Sequence, residues 1–201
     1  MCLLRANLVD DEFMGLLKHA GCYQISIGIE SGNDHVRNDI MNRRMSREQI
    51  VQAFELAHKY GIRTNAINMI GLPGETDEMV WDTIRLNRQV KPTVSGVNIF
   101  YPYKGTKLGD RCFEQGLVDE EKYHSFSKER RESVLKFPQD YRRKLSYYQK
   151  HWEALVYPFD VRKRMERLLR GTFIWSWLRA AYRLVRRLRA SADSASQRKV
   201  A

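Results

Sequence analysis

Glu30, Arg43 and the turn Gly71-Leu72-Pro73-Gly74 are the places in this 201-residue chain where residue type and spacing could do chemistry. Glu30 ends the alternating run Tyr-Gln-Ile-Ser-Ile-Gly-Ile, and a carboxylate at a strand end can accept hydrogen bonds from two ribose hydroxyls. Arg43 lies within reach in sequence and can hold a carboxylate through a paired, charge-assisted contact. The turn closes an apolar run and opens a helix. Pro73 fixes φ, Gly74 tolerates a positive φ, and Thr76 is placed as an N-cap with Asp77 and Glu78 in the first helical turn. Other polar residues gather at the same kind of position. Ser31 follows Glu30, Asn68 precedes the turn, Arg5 and Asn7 end the first apolar run, and Tyr101, Tyr103 and Thr106 end the last.

These residues need elements to hold them. The pattern predicts strands over Cys2 to Asn7, Tyr23 to Ile29, Ile62 to Ile70 and Val94 to Phe100. Between them it predicts helices over Asp10 to His19, from Ser46 (capping-box spacing with Gln49) to the stop at Gly61, and over Asp77 to Val90, with a polar loop or short helix running to Arg43. Alternation at this spacing means β-α units and a parallel sheet, whose ligand site lies at the carboxyl ends of the strands. Four strands cannot close a barrel, so the expectation is an α/β fold that is an incomplete (β/α) barrel, missing its N-terminal units. It occupies residues 1–118. A helical C-terminal region follows over 119–190, with helices at Asp119 to Leu135, Tyr141 to Val156 and Asp160 to Ala190, and then a tail over 191–201.

Net charge is +11, but twelve Lys/Arg against two acids lie after Asp160, so the body is nearly neutral and nucleic acid is not an expected partner. Residues 172–190 read as a basic amphipathic helix carrying Trp175 and Trp177. It suits a membrane surface or a protein partner, or packs on its own domain with a solvated arginine face. Cys2, Cys22 and Cys112 are too scattered for a disulfide framework or a metal clip, and no signal peptide is evident. A cytoplasmic location, peripheral to the membrane if that helix binds lipid, is the default.

The ordered set Ala20-Gly21-Cys22, Ile27-Gly28-Ile29-Glu30-Ser31-Gly32-Asn33-Asp34, Met41-Asn42-Arg43, Gly61-Ile62, Asn68 to Thr76 and Tyr101-Pro102-Tyr103-Lys104-Gly105-Thr106 resembles the second half of radical S-adenosylmethionine (radical SAM) enzymes. The branch it resembles carries an N-terminal cobalamin-binding domain and includes anaerobic magnesium-protoporphyrin ester cyclase-like proteins. The resemblance covers about residues 1–125. It implies a partial TIM barrel in which a [4Fe-4S] cluster reduces SAM to a 5′-deoxyadenosyl radical acting on a small-molecule substrate, with cobalamin as a further cofactor of the full-length protein. The family's C-x3-C-x2-C loop is absent from this sequence, so the chain is expected to lack the cluster ligands and to be inactive alone, as a fragment of a longer enzyme or a truncated product.

By the same resemblance Glu30 matches the polar residue near the SAM ribose, its alternative being a carboxylate that caps the following loop. Arg43 matches the arginine that meets the SAM carboxylate, its alternative a solvated loop arginine. Ser31 adjoins Glu30; Gly71, Leu72, Pro73 and Gly74 would shape the turn below the adenine. Asn68 would enter the barrel if alternation turns it inward. Arg5, Asn7, Tyr101, Tyr103 and Thr106 would touch SAM or substrate, the alternative for the three last being a rigid Pro-Gly loop with packed aromatics. Two functions follow: the C-terminal portion of a radical SAM enzyme, or a non-catalytic truncated barrel that binds a partner or membrane through its basic helix. An ordinary phosphate barrel fits less well, since no strand end offers a glycine-rich loop with a lysine.

Overall fold

The computed structural model describes residues 1–125 and 129–169. The chain divides into two compact units, Met1–Val156 and Tyr157–Ala201. In the first, β1 (Cys2–Leu4), β2 (Gln24–Glu30), β3 (Arg63–Ile70) and β4 (Val94–Ile99) form one parallel sheet in sequence order. The helices α1 (Asp11–His19), α2 (Arg47–Lys59) and α3 (Asp77–Val90) make the crossovers. This is the α/β arrangement expected of an incomplete barrel.

Local signals account for the elements. Asp10 caps α1, Ser46 and Gln49 form a reciprocal capping box on α2, and the Thr76 hydroxyl accepts from the Met79 N–H to open α3. Ile25, Ile27 and Ile29 of β2 and Ala66 of β3 point to the helical side and pack with Ile50, Phe54, Ala57 and Leu86. The opposite, concave side carries Ser26 and Gly28 from β2 and the half-buried Asn65, Ile67 and Met69 from β3. The register places Gly28 beside Ile67 and Ile67 beside Gly96, so small residues flank the middle of that face.

The sequence reading needs three corrections. The first strand stops at Leu4, because residues Ala6–Leu8 turn into a 3-10 helix. A helix not anticipated, α4 (Lys107–Glu114), begins at Thr106. The long helix expected over 119–135 is only α5 (Glu120–Ser125), and Val118 instead pairs antiparallel with Leu135. The last helix of this unit, α6 (Gln139–Val156), packs on β4 and α3. In the second unit α7 (Val161–Leu169) is described. The basic helix expected over residues 172–190 and the tail over 191–201 lie outside the described residues. No helix among the described residues is long and apolar enough to cross a membrane.

Candidate functional site

The end of β2 is shaped by a bulge. Gly28 pairs with Ile67 but Glu30 pairs with Asn68, so Ile29 is the extra residue. Glu30 itself takes φ +63°, a conformation that costs a non-glycine residue free energy and that clusters at functional sites. The result keeps Ile29 in the core while turning the Glu30 carboxylate onto the concave face, over Gly28. A Cβ on Gly28 would lie 2.7 Å from Glu30 Oε1 and 3.3 Å from Arg43 Nη2, so this glycine makes room for the pair. Glu30 and Arg43 form an ion pair in which the carboxylate is almost buried and the guanidinium partly open. Burial pushes the Glu30 carboxyl above its ordinary range, with the Arg43 charge acting against it.

Two further predicted residues converge here or near it. The Arg5 guanidinium donates to the Arg43 carbonyl oxygen at 2.5 Å. Asn7 follows on the 3-10 turn after β1. Its Oδ1 and the Nε of Arg43 are buried polar atoms with no hydrogen-bond partner. Groups of this kind ask for a ligand or a water, because leaving them bare costs free energy.

Asn68 and Ser31 face the other way. Asn68 is fully buried on the helical side, where its amide donates to the Gly96 carbonyl (2.9 Å) and its Oδ1 accepts from Asn87 (2.8 Å). The Ser95 hydroxyl donates to Asn87 Oδ1 (2.8 Å) and accepts from the Trp152 indole (2.8 Å), extending this network to α6. Ser31 is equally buried, sharing a 3.3 Å hydrogen bond with Thr83. The Gly32 N–H donates to that same threonine hydroxyl at 2.8 Å, and no side chain fits at Gly32 against the α3 backbone. These side chains fix α3 to the sheet.

The Gly71–Gly74 turn is held from behind. Gly71 and Gly74 both take φ +76°. Glu75, almost fully buried, accepts the N–H of Gly71 at 2.5 Å and of Leu72 at 3.2 Å through one oxygen. Burial pushes its carboxyl up to about 8, with those two backbone donors acting against the shift. Its other oxygen and the Tyr141 hydroxyl are both buried without a partner. Leu72 is sunk in a second apolar cluster with Val36 and Cys112, while Pro73 and Gly74 open onto a cleft of about 450 Å³. Glu30 and Arg43 are not among the residues lining that cleft.

The last predicted group takes up packing. Tyr101 is buried and stacks on Tyr123, with centroids 5.2 Å apart, and burial pushes its hydroxyl up to about 12. The Tyr103 hydroxyl donates to Glu129 (2.9 Å) and accepts from Arg130 (3.1 Å). Thr106 caps α4 through the Gly109 N–H. Sequence reasoning passed over Asn65 and Ser26, which hydrogen-bond to each other at 3.1 Å on the concave face. Only the register could have revealed them. It also passed over Arg37, fully buried, which donates to the carbonyls of Ser31 (2.8 Å) and Met45 (2.9 Å) and pairs with Asp34. This arginine ties the loop carrying Arg43 to the end of β2.

Residues 2–86 match the Radical SAM superfamily. Anaerobic magnesium-protoporphyrin IX monomethyl ester cyclase of Rubrivivax gelatinosus is 26% identical over 171 residues, 82% of this chain and 30% of that protein. An uncharacterized methyltransferase of Pyrococcus horikoshii is 26% identical over 114 residues, 57% of this chain and 25% of its own length. The chain therefore spans less than a third of either relative. Among solved structures, coproporphyrinogen III oxidase (HemN) from Escherichia coli shares the fold, with TM-score 0.54 at 16% identity over 76% of this chain and 31% of that one. So does the methyltransferase TsrM from Kitasatospora setae, solved with tryptophan substrate and a SAM analogue, with TM-score 0.50 at 24% identity over 56% of this chain and 22% of that one.

Proposed function

We propose that this radical SAM sheet binds S-adenosylmethionine on its concave face, as the C-terminal part of an enzyme acting on a small-molecule substrate. The observation that carries the reading is the end of β2. There a bulge, a positive φ at Glu30 and a side-chain-free Gly28 together aim a buried carboxylate and an arginine at one spot. Glu30 would accept the ribose hydroxyls. Arg43, whose Nε has no partner, would hold the methionyl carboxylate, with Arg5 fixing its backbone and Asn7 offering a further acceptor. The backbone of the Gly71–Gly74 turn would border the adenine. Asn68 and Ser31 would act through the scaffold, since their side chains are committed to α3 and its neighbours.

SAM, when bound, supplies a methyl group or, on one-electron reduction, a 5′-deoxyadenosyl radical in this superfamily. The [4Fe-4S] cluster that reduces it does not fit the cysteines of this chain. Cys112 is buried, with its thiol pushed up to about 11, while Cys2 and Cys22 sit half-buried elsewhere. Among the described residues no group of three or more His, Cys, Asp or Glu could hold a metal ion. The chain's own share is therefore orientation and exclusion of water. No residue is assigned to cobalamin.

Equilibrium dialysis of labelled SAM against the purified chain tests the assignment. Arg43→Ala and Glu30→Gln should each weaken binding by about tenfold, the scale of one charge-assisted hydrogen bond. Unchanged affinity in both, or no saturable binding by the wild type, would overturn it.

A further inference from the structure

The cleft of about 450 Å³ beyond the Pro73–Gly74 wall lies within the size range of small-molecule sites and has a chemistry of its own. One side is a π-helix, residues His35–Ile40, a rare form that recurs at functional sites. It presents His35 and Asp39 to the cleft, one turn apart. The other side is α4 and its end, which presents Arg111 and Gln115, again one turn apart. Ile40, Leu108 and Leu117 are the apolar part of the lining, with the buried Cys112. A thiol pushed up to about 11 stays protonated, so Cys112 belongs to the apolar floor and is no nucleophile here.

The polar pairs differ in what they can offer. His35 Nδ1 lies 2.7 Å from Asp39 Oδ2, and in the tautomer whose Nδ1–H donates to that carboxylate Nε2 is an acceptor. The Arg111 side chain forms no ion pair or hydrogen bond among the described residues and has five donors to give. Gln115 adds an amide. One wall thus calls for an anion, and the other, negative and accepting, calls for an N–H or O–H.

We propose that this cleft is a second small-molecule site, which takes a largely apolar carboxylic acid carrying a hydroxyl or amine donor. Arg111 binds the carboxylate, Gln115 supports it, Ile40 and Leu108 pack on the apolar body, and His35 Nε2 accepts from the donor. The inference stands on the residues of this cleft and is independent of SAM binding at Glu30 and Arg43.

The fluorescent acid 6-hydroxy-2-naphthoate, titrated against the whole chain, is a direct probe. Binding should saturate, with a dissociation constant on the order of 0.1 mM, and 2-naphthol, which lacks the carboxylate, should bind about tenfold more weakly. Arg111→Gln should abolish that preference for the acid, while His35→Phe should abolish the preference for 6-hydroxy- over 6-methoxy-2-naphthoate. Both side chains are exposed, so circular dichroism should show both variants folded. Failure of the wild type to saturate, equal affinity for acid and naphthol, or an unchanged affinity in Arg111→Gln would overturn the site. A hydroxyl preference that survives His35→Phe would overturn its donor end. Glu30→Gln should leave all of these constants unchanged, which separates this site from the SAM site.

Discussion

Glu30 ends β2 and Glu75 lies in the turn after the neighbouring β3, and burial raises both carboxyls, yet their surroundings differ in kind. Glu30 faces an arginine whose side chain is 34% exposed and which keeps an unused Nε. Glu75 has only two backbone N–H groups, and its second oxygen is sealed in without a partner. A carboxylate with a partly solvated counter-charge can trade that partner for a ligand. One with only backbone donors can do nothing but hold the turn. The same residue type beyond or at the ends of neighbouring strands therefore reads as a binding group in one place and a staple in the other.

The largest expected effect separates them by stability. Glu75→Ala strands the N–H groups of Gly71 and Leu72 in a dry site and should cost about 2–4 kcal/mol in urea unfolding at pH 6. Glu30→Ala should cost only about 1 kcal/mol, because Arg43 can turn to water. Equal losses would erase the distinction.

The next effect is its pH dependence. Because the folded-state value of Glu75 is about 8 against an ordinary 4.5, the folded chain keeps a proton there that the unfolded chain releases. The contribution is fully present below about 4.5 and is lost as pH rises to about 8, with a slope of at most about 1.4 kcal/mol per pH unit. Glu75→Gln keeps an acceptor for both N–H groups and should flatten the stability profile across that window. A Glu75→Gln curve parallel to the wild type would show that Glu75 is ionised in the fold.

Some of this was legible in the sequence, and the reason is locality. The Thr76 cap, the Ser46–Gln49 box, the Gly61 stop and the Gly71–Gly74 turn are each specified by a few adjacent residues, so the parallel sheet and its crossovers followed. The family resemblance assigned Glu30 and Arg43 to one ligand, but their direct ion pair was not legible from it. The facing of Asn68 was not, since both faces of β3 alternate mixed residues and neither is wholly apolar. Thr106 looked like a strand end, although Leu108 and Cys112 at helical spacing and the stop at Gly116 would have marked α4. The false helix over 119–135 failed for a longer-range reason: Val118 finds its partner in Leu135, a pairing no local pattern encodes.

The two asparagines of β3 repeat the contrast between the sheet's faces on a smaller scale. Asn68 touches Asn87, Ser95 and Gly96, and Asn68→Ala should cost about 1–3 kcal/mol by leaving those buried groups short of partners.

Asn65, three residues earlier, faces the concave side, where its side chain makes one hydrogen bond among the described residues, to Ser26, and it is only half-buried. Asn65→Ala should change stability by no more than about 0.5 kcal/mol, since water can replace the amide for Ser26. If the concave face is where SAM or substrate lies, the same variant should still weaken ligand binding several-fold, because a bound ligand excludes that water and leaves the serine unpaired. A stability loss as large as that of Asn68→Ala would mean that Asn65 is scaffold as well. The concave face would then hold its polar groups for the fold and not for a ligand.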